Sequence, residues 1–310
     1  MIPKTSQHIL ELSAVEQKNF IDSFDIVLSD CDGVIWMVIN AIPNTGPALK
    51  LLLSAGKQCK YVSNNSFRTD EEFLKKFEAI GLENVQADDI VTPTKTMISY
   101  LKKYKAGEKV FSLCGKSGNE LLRANGIDVE TLQKPPHWTP TSLAKEIRVD
   151  HKVSAVLFDI NLDLSYVELA KAHQYLLEDD CVLLAGGNDK HFPLDQGLTA
   201  AGFFDFLQHL SDYSQKEPIL LGKPSPTLGQ MLKAMFQITD SKRCLFIGDT
   251  LQQDMEFGNS CGFQTLLVLT GVATKEDMLQ ARSTLARPDY YAAGLGDFIE
   301  LFANLEKHNL

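Results

Sequence analysis

The chain has 310 residues, 44% of them hydrophobic, and a formal net charge of −10. That length supports one large domain or two smaller ones. Scattered lysines and arginines on an acidic chain exclude a nucleic-acid footprint, and no apolar run reaches the length of a membrane span.

The first twenty residues, "MIPKTSQHILELSAVEQKNF", lack the apolar core and cleavage site of a signal peptide and read as a short amphipathic helix. The apolar run Ile26–Ser29 then reads as a buried strand. It ends in Asp30-Cys31-Asp32-Gly33, two carboxylates that repel unless a positive group lies beside them. A second strand, Lys60–Ser63, runs into Asn64-Asn65, and "TDEEFLKKFEAIG" follows with helical spacing and Thr69 as its cap.

Loop-like stretches near Thr92-Pro93 and over Ser211–Pro218 bracket an insert with a strand–helix set of its own. The expected division is 1–93, 94–210 and 211–310, the middle segment being a separate α/β domain. Within and just after it, Val110–Leu113, Ala155–Phe158, Val182–Ala185 and Ile219–Leu221 read as strands. "SYVELAKAHQYLLEDD" reads as a helix capped by Ser165, and "QKPPHWTPTS" (Gln133–Ser142) as a proline-marked loop. "CGKSG" (Cys114–Gly118) imitates the end of a P-loop, but the first glycine of that motif is Val110 here. Trp36 and Trp138 are expected to be packing residues.

The last strands carry the remaining polar ends. Ile219–Leu221 leads to Gly222-Lys223-Pro224, Cys244–Ile247 leads to Gly248-Asp249 with Asp254 five residues on, and Thr265–Leu269 follows. Strands alternating with helices imply a Rossmann-like α/β fold with a parallel sheet covered on both faces, and ligands in such sheets bind at the carboxyl ends of the strands. The seven histidines show neither H-x-x-x-H nor H-x-H spacing, which argues against zinc. The six cysteines form no C-x-x-C pair and sit mostly beside apolar runs, as reduced thiols of a cytoplasmic protein do.

The strand ends together supply what phosphoryl transfer to a carboxylate needs. Asp30 offers a nucleophile, and Asp32 an acid for the leaving oxygen and later a base for water. Lys223 and Ser63 offer donors for the non-bridging oxygens. Magnesium beside Asp30 and Asp32, with Asp249 as a third ligand, would relieve the charge repulsion in an all-oxygen site. Gly33 allows the chain to turn sharply behind them. Taken singly, Asp30 and Asp32 are a solvated strand end, Ser63-Asn64-Asn65 a turn, Lys223 a surface lysine and Asp249 a helix cap; their order along the chain is what separates the two readings.

Those four motifs, D-x-D-G-V, S-N-N, G-K-P and G-D-x-x-x-x-D, resemble the haloacid dehalogenase superfamily in its phosphatase branch. "DCDGVIW", "VSNNS", "LGKPSP" and "LTG" are similar to the group of 4-nitrophenylphosphatase and phosphoglycolate phosphatase-like enzymes, over nearly the whole chain from Phe24. The resemblance implies that Asp30 becomes an aspartyl-phosphate and binds Mg²⁺. It implies that Asp32 is the general acid/base with its carbonyl on the metal, and that Asp249 is a ligand. Ser63, the backbone amides of Asn64 and Asn65, and Lys223 would hold phosphate, and Asp254 would support them from behind or serve as an occasional metal ligand. It further implies that the insert is a cap that selects a small phosphate ester and through which the protein forms a homodimer.

The chain departs from that group in places. "GDTLQQD" has Thr250 where an arginine is usual, Val38 replaces a glycine after the first motif, and Gly186-Gly187 replaces a Thr-Asn pair; a Pro-Gly turn reads "TAAGFFDF". The two glycines would enlarge the pocket or loosen the loop, and with Val38 they point to a roomier, less polar pocket. Asp189 and His191 in the same stretch are candidate cap contacts with substrate, or loop packing. A dehalogenase would not need Asp32. A catalytically weak binding or regulatory protein acting through its cap would be marked by a lost nucleophile, lysine or ligand, and none is lost.

Overall fold

The structure, a computed structural model, describes residues 6–37, 40–132, 139–187, 190–195 and 198–310. Val38, Trp138 and Asp189 lie outside the described residues, as does the His191 side chain. In chain order the strands are β1 (Gln7–His8), β2 (Ile26–Ser29), β3 (Gln58–Val62), β4 (Ile90–Val91), β5 (Val110–Ser112), β6 (Val129–Glu130), β7 (Ala155–Phe158), β8 (Val182–Ala185), β9 (His191–Asp195), β10 (Leu198–Ala201), β11 (Ile219–Leu220), β12 (Cys244–Gly248), β13 (Gln264–Val268) and β14 (Tyr290–Ala292). The chain divides into two compact units. One comprises Met1–Ser63, Asp70–Val91 and Lys223–Leu310; the other comprises Asn64–Thr69 and Thr92–Gly222.

The first unit holds a seven-stranded sheet in the order β1-β14-β13-β12-β2-β3-β4, parallel throughout. Side chains alternate between its faces, so both faces must be apolar. Val27, Ile247 and Val268 pack with Phe20, Leu49 and Phe298, from helices Ala14–Asp22, Thr45–Ser54 and Asp297–Lys307. Leu28 and Phe246 point the other way and pack with Leu232 and Phe257, from helices Pro226–Met235 and Glu256–Cys261. The first of these helices starts where Ser13 and Glu16 exchange hydrogen bonds with each other's backbone N–H. At Pro226, Ser225 caps and the proline fits the first turn. The N-terminal segment differs from the expected helix in its first half, where Gln7 and His8 pair with Tyr290 and Tyr291 at the sheet edge.

From β2 the chain steps outward to β3 and β4, and on its return enters β12 on the other side of β2. The strand order therefore reverses between β2 and β12, and the crevice at their carboxyl ends is where an open α/β sheet binds ligands.

The second unit has its own five-stranded parallel sheet, β11-β8-β7-β5-β6, and a separate antiparallel pair, β9 and β10. Its core joins Phe111, Val156 and Leu183 to Tyr175 and Leu176 of helix Tyr166–Leu176 and Leu210 of helix Phe204–Ser214. Ser165 caps the first of these helices in a reciprocal pair with Glu168, as its sequence implied.

Candidate active site

Asp30 directly follows β2. Its N–H donates to Ile247 O at 2.8 Å, extending the ladder to β12 by one residue. Its carboxylate Oδ1 accepts the Cys31 N–H at 2.7 Å and lies 3.0 Å from Lys223 Nζ. The chain then folds back: Cys31 O accepts Ile35 N–H at 2.8 Å, and Gly33 N–H donates to Trp36 O at 2.7 Å. Gly33 has φ +83°, which few side chains tolerate. Asp32 is half-buried in this turn, and Trp36 is buried against Phe77 as a packing residue.

Asp249 follows β12, the strand beside β2. Its Oδ2 accepts the Val272 N–H at 2.8 Å. A Cβ on Gly33 or Gly271 would fall 2.4 Å and 2.0 Å from that same oxygen, so the carboxylate occupies room that only two glycines leave. A π-helical turn, Leu251–Met255, then returns Asp254 to the strand end. Asp254 is fully buried and saturated. Its Oδ2 accepts from Asp249 N, Thr250 N and Thr250 Oγ1 at 3.1, 2.9 and 2.6 Å, while Oδ1 accepts from Lys223 Nζ at 2.8 Å.

Lys223 is 1% exposed, yet it links two carboxylates. Burial alone would lower its pKa, but Asp254 and Asp30 outweigh that and hold it above the ordinary lysine value. Asp30 moves in the opposite sense to a surface carboxylate. Burial raises it, Lys223 opposes, and Asp254 and Asp249 raise it further, leaving it well above the usual range. Burial, with Asp254 adding, pushes Asp249 up to about 7. Oxygens of Asp30, Asp249 and Asp254 lie within 4.8 Å of one another. Three carboxylates answered by one ammonium form a centre short of positive charge.

Ser63 follows β3 and is buried, with its N–H donating to Val91 O at 3.0 Å. Asn64 and Asn65 fall in the second unit, where Asn65 Oδ1 accepts the Phe67 N–H at 3.0 Å. The backbone of His191 lies in β9, inside a stretch that reads as a loop. Sequence reasoning assigned no role to the "LTGV" turn, yet it supports two motifs at once. Thr270 Oγ1 donates to Gly33 O at 2.6 Å, and Val272 holds Asp249. The quoted "LTG" was the available signal. Thr250 was noticed only as a departure.

A family model described as haloacid dehalogenase-like hydrolase matches residues 27–128, and a second, HAD-hydrolase-like, matches residues 220–298. The 4-nitrophenylphosphatase of Schizosaccharomyces pombe is 33% identical over 93% of this chain and 97% of its own length. The chain belongs to the haloacid dehalogenase-like hydrolases. Phosphoglycolate phosphatase 2 of Arabidopsis thaliana is 30% identical, over 94% of this chain and 97% of that protein. The p-nitrophenyl phosphatase from Archaeoglobus fulgidus superposes with a TM-score of 0.75 at 26% identity, covering 90% of this chain and 99% of that one. Within the superfamily the chain is a phosphoric monoester hydrolase, on the branch whose relatives are named phosphatases. Among the described residues no helix is long and apolar enough to cross a membrane. All six cysteines are buried and none is joined in a disulfide.

Proposed function

We propose that this chain hydrolyses small-molecule phosphomonoesters with magnesium, through an aspartyl-phosphate on Asp30. One observation carries the reading: a fully enclosed Lys223 bridges Asp30 at 3.0 Å and Asp254 at 2.8 Å, beside Asp249. The donor set fits the metal, since it is all carboxylate, with neither histidine nor cysteine in it. Asp30 and Asp249, with the Asp32 carbonyl, would hold it. When bound, magnesium offsets the repulsion between these carboxylates and a phosphate dianion.

The residues supply the remaining chemistry. Cys31 N–H and Lys223 fix Asp30 Oδ1, and among the described residues Oδ2 accepts no hydrogen bond. Oδ2 is the oxygen that attacks phosphorus. As that bond forms, the bond from phosphorus to the leaving oxygen breaks, and Asp32 gives that oxygen its proton. Asp32 then takes a proton from water, the water oxygen attacks phosphorus, and orthophosphate leaves with the Asp30 carboxylate restored. Lys223 and Ser63 neutralise and orient the non-bridging oxygens. In this proposal the second unit selects among substrates, which extend from phosphoglycolate-like acids to aryl phosphates, and forms a homodimer. The six buried thiols fit a cytoplasmic location.

The test is hydrolysis of 4-nitrophenyl phosphate with and without Mg²⁺, on the parent chain and on Asp30→Asn. Loss of the nucleophile should cost at least about 10³-fold in kcat with the melting transition retained. Parental turnover in the Asn variant, or full activity after chelation, would remove the reading.

A further inference from the structure

We infer that Thr250 is a positioning residue for this reaction: its hydroxyl sets the Asp254 carboxylate, and through it the Lys223 ammonium, against Asp30. The inference rests on the proposed roles of Asp30 and Lys223.

Two contacts tie Thr250 to Asp254 in a closed loop. Thr250 Oγ1 donates to Asp254 Oδ2 at 2.6 Å, and the Asp254 N–H donates back to Thr250 Oγ1 at 3.2 Å. The backbone N–H groups of Asp249 and Thr250 reach the same Oδ2 at 3.1 and 2.9 Å. With three donors on Oδ2, the carboxylate presents Oδ1 to Lys223 in one orientation only. It has nowhere to retreat: a Cβ on Gly248 would meet Asp254 Cβ at 2.2 Å, so the strand end abuts the side chain. Asp254 is 0% exposed and Lys223 1%, so water does not readily replace a lost donor. Removing the hydroxyl leaves Oδ2 with two backbone donors and loosens the orientation in which Oδ1 meets Lys223.

A cap for the π-helical turn is the simpler role, and it makes a different forecast. A cap contributes to stability alone; a positioning residue acts on turnover through Asp254. The experiment compares Thr250→Val, which keeps shape and loses the hydroxyl, with Thr250→Ser, which keeps the hydroxyl. Both are assayed for kcat and KM on 4-nitrophenyl phosphate and for inhibition by orthophosphate. Thr250→Val should lose about tenfold in kcat/KM and bind orthophosphate more weakly, and Thr250→Ser should stay within about twofold, as expected for a hydrogen bond to a charged group. In an Asp254→Asn background the valine effect should shrink to about twofold or less, because the two side chains act as one unit. If Thr250→Val fails to melt cooperatively, Thr250→Ala replaces it in the same comparison.

Unchanged kinetics in the valine variant overturn the inference. So do equal losses in valine and serine variants, or a full valine effect without Asp254. Asp30→Asn is run alongside. Turnover persisting there defeats the catalytic reading itself, whereas loss there with an indifferent Thr250→Val defeats only this inference.

Discussion

Gly33 and Gly271 close on one atom, Oδ2 of Asp249, and neither has room for a Cβ. Gly271 is the cleaner probe because its φ is not left-handed, so only the contact changes. In Gly271→Ala the new methyl group, built 2.0 Å from the oxygen, must turn the carboxylate or shift the turn that carries Val272. The expected result is a rise in the Mg²⁺ concentration for half-maximal rate and a fall in kcat of about tenfold or more, with a stability cost of about 1–3 kcal/mol. A magnesium titration checks it, and an unchanged requirement would speak against Asp249 as a ligand. Gly186 is a position whose surroundings the sequence does not show. Two glycines in place of Thr-Asn read as an enlarged pocket. In the structure a Cβ on Gly186 would fall 2.5 Å from Asp159 Cγ. That carboxylate is held by Ile160 N–H at 2.9 Å and by Thr94 Oγ1 at 3.2 Å. The room at Gly186 is taken by Asp159, a buried aspartate that no motif singled out.

At the scale of elements, most strands inside the two sheets were legible, though β14 was not, and of the edge strands only β11 was. Ile26–Ser29, Ala155–Phe158 and Val182–Ala185 coincide with expectation because an apolar run bounded by polar residues leaves few alternatives. β1, β4 and β6 have two residues each, too few for any periodicity, and pairing with a neighbour is what makes them strands. β6 is fastened by side chains as well. Glu130 on this edge strand meets His151 Nε2 at 2.6 Å and Tyr175 Oη at 2.8 Å, with Lys171 Nζ at 3.4 Å. Asp150 takes the other ring nitrogen at 2.7 Å. Hydrogen bonds to Asp150 and Glu130 raise the His151 pKa, against partial burial and Lys109. The sign follows from linkage. A histidine whose folded pKa is raised contributes stability that is complete below its unfolded value and is lost as pH rises through the folded value. Chemical denaturation of the parent should therefore show this contribution fading as pH rises above the ordinary histidine value of about 6.5, and His151→Gln should flatten that part of the profile. Parallel profiles would mean that His151 contributes nothing through its charge.

Over the whole molecule, the proposed catalytic set was legible because its members sit at strand ends in a fixed order, and strand ends are what a short apolar run marks best. Asp30 and Ser63 directly follow their strands, and Lys223 and Asp249 each follow an apolar run after a single glycine. The support behind them was not legible. Thr270 and Val272 act through single hydrogen bonds to partners 237 and 23 residues away in sequence, which nothing local announces, and the Thr250–Asp254 pair, though only four residues apart, depends on the π-helical turn between them. The division into units has a similar basis. The main stretch of the second unit runs from Thr92 to Gly222, and its two ends are tied together, since Thr96 Oγ1 donates to Leu221 O at 2.7 Å. A segment with adjoining ends and its own sheet and core has the anatomy of an inserted domain. An excised fragment, residues 92–222, should therefore fold alone. Its far-ultraviolet circular dichroism should show mixed helix and strand, and its thermal unfolding should be a single cooperative transition, as small domains show. It should have no phosphatase activity, because Asp30, Lys223 and Asp249 belong to the other unit. A fragment that melts without cooperativity would mean that the core around Phe111, Val156 and Tyr175 depends on the rest of the chain, and that the second unit is not an independent domain.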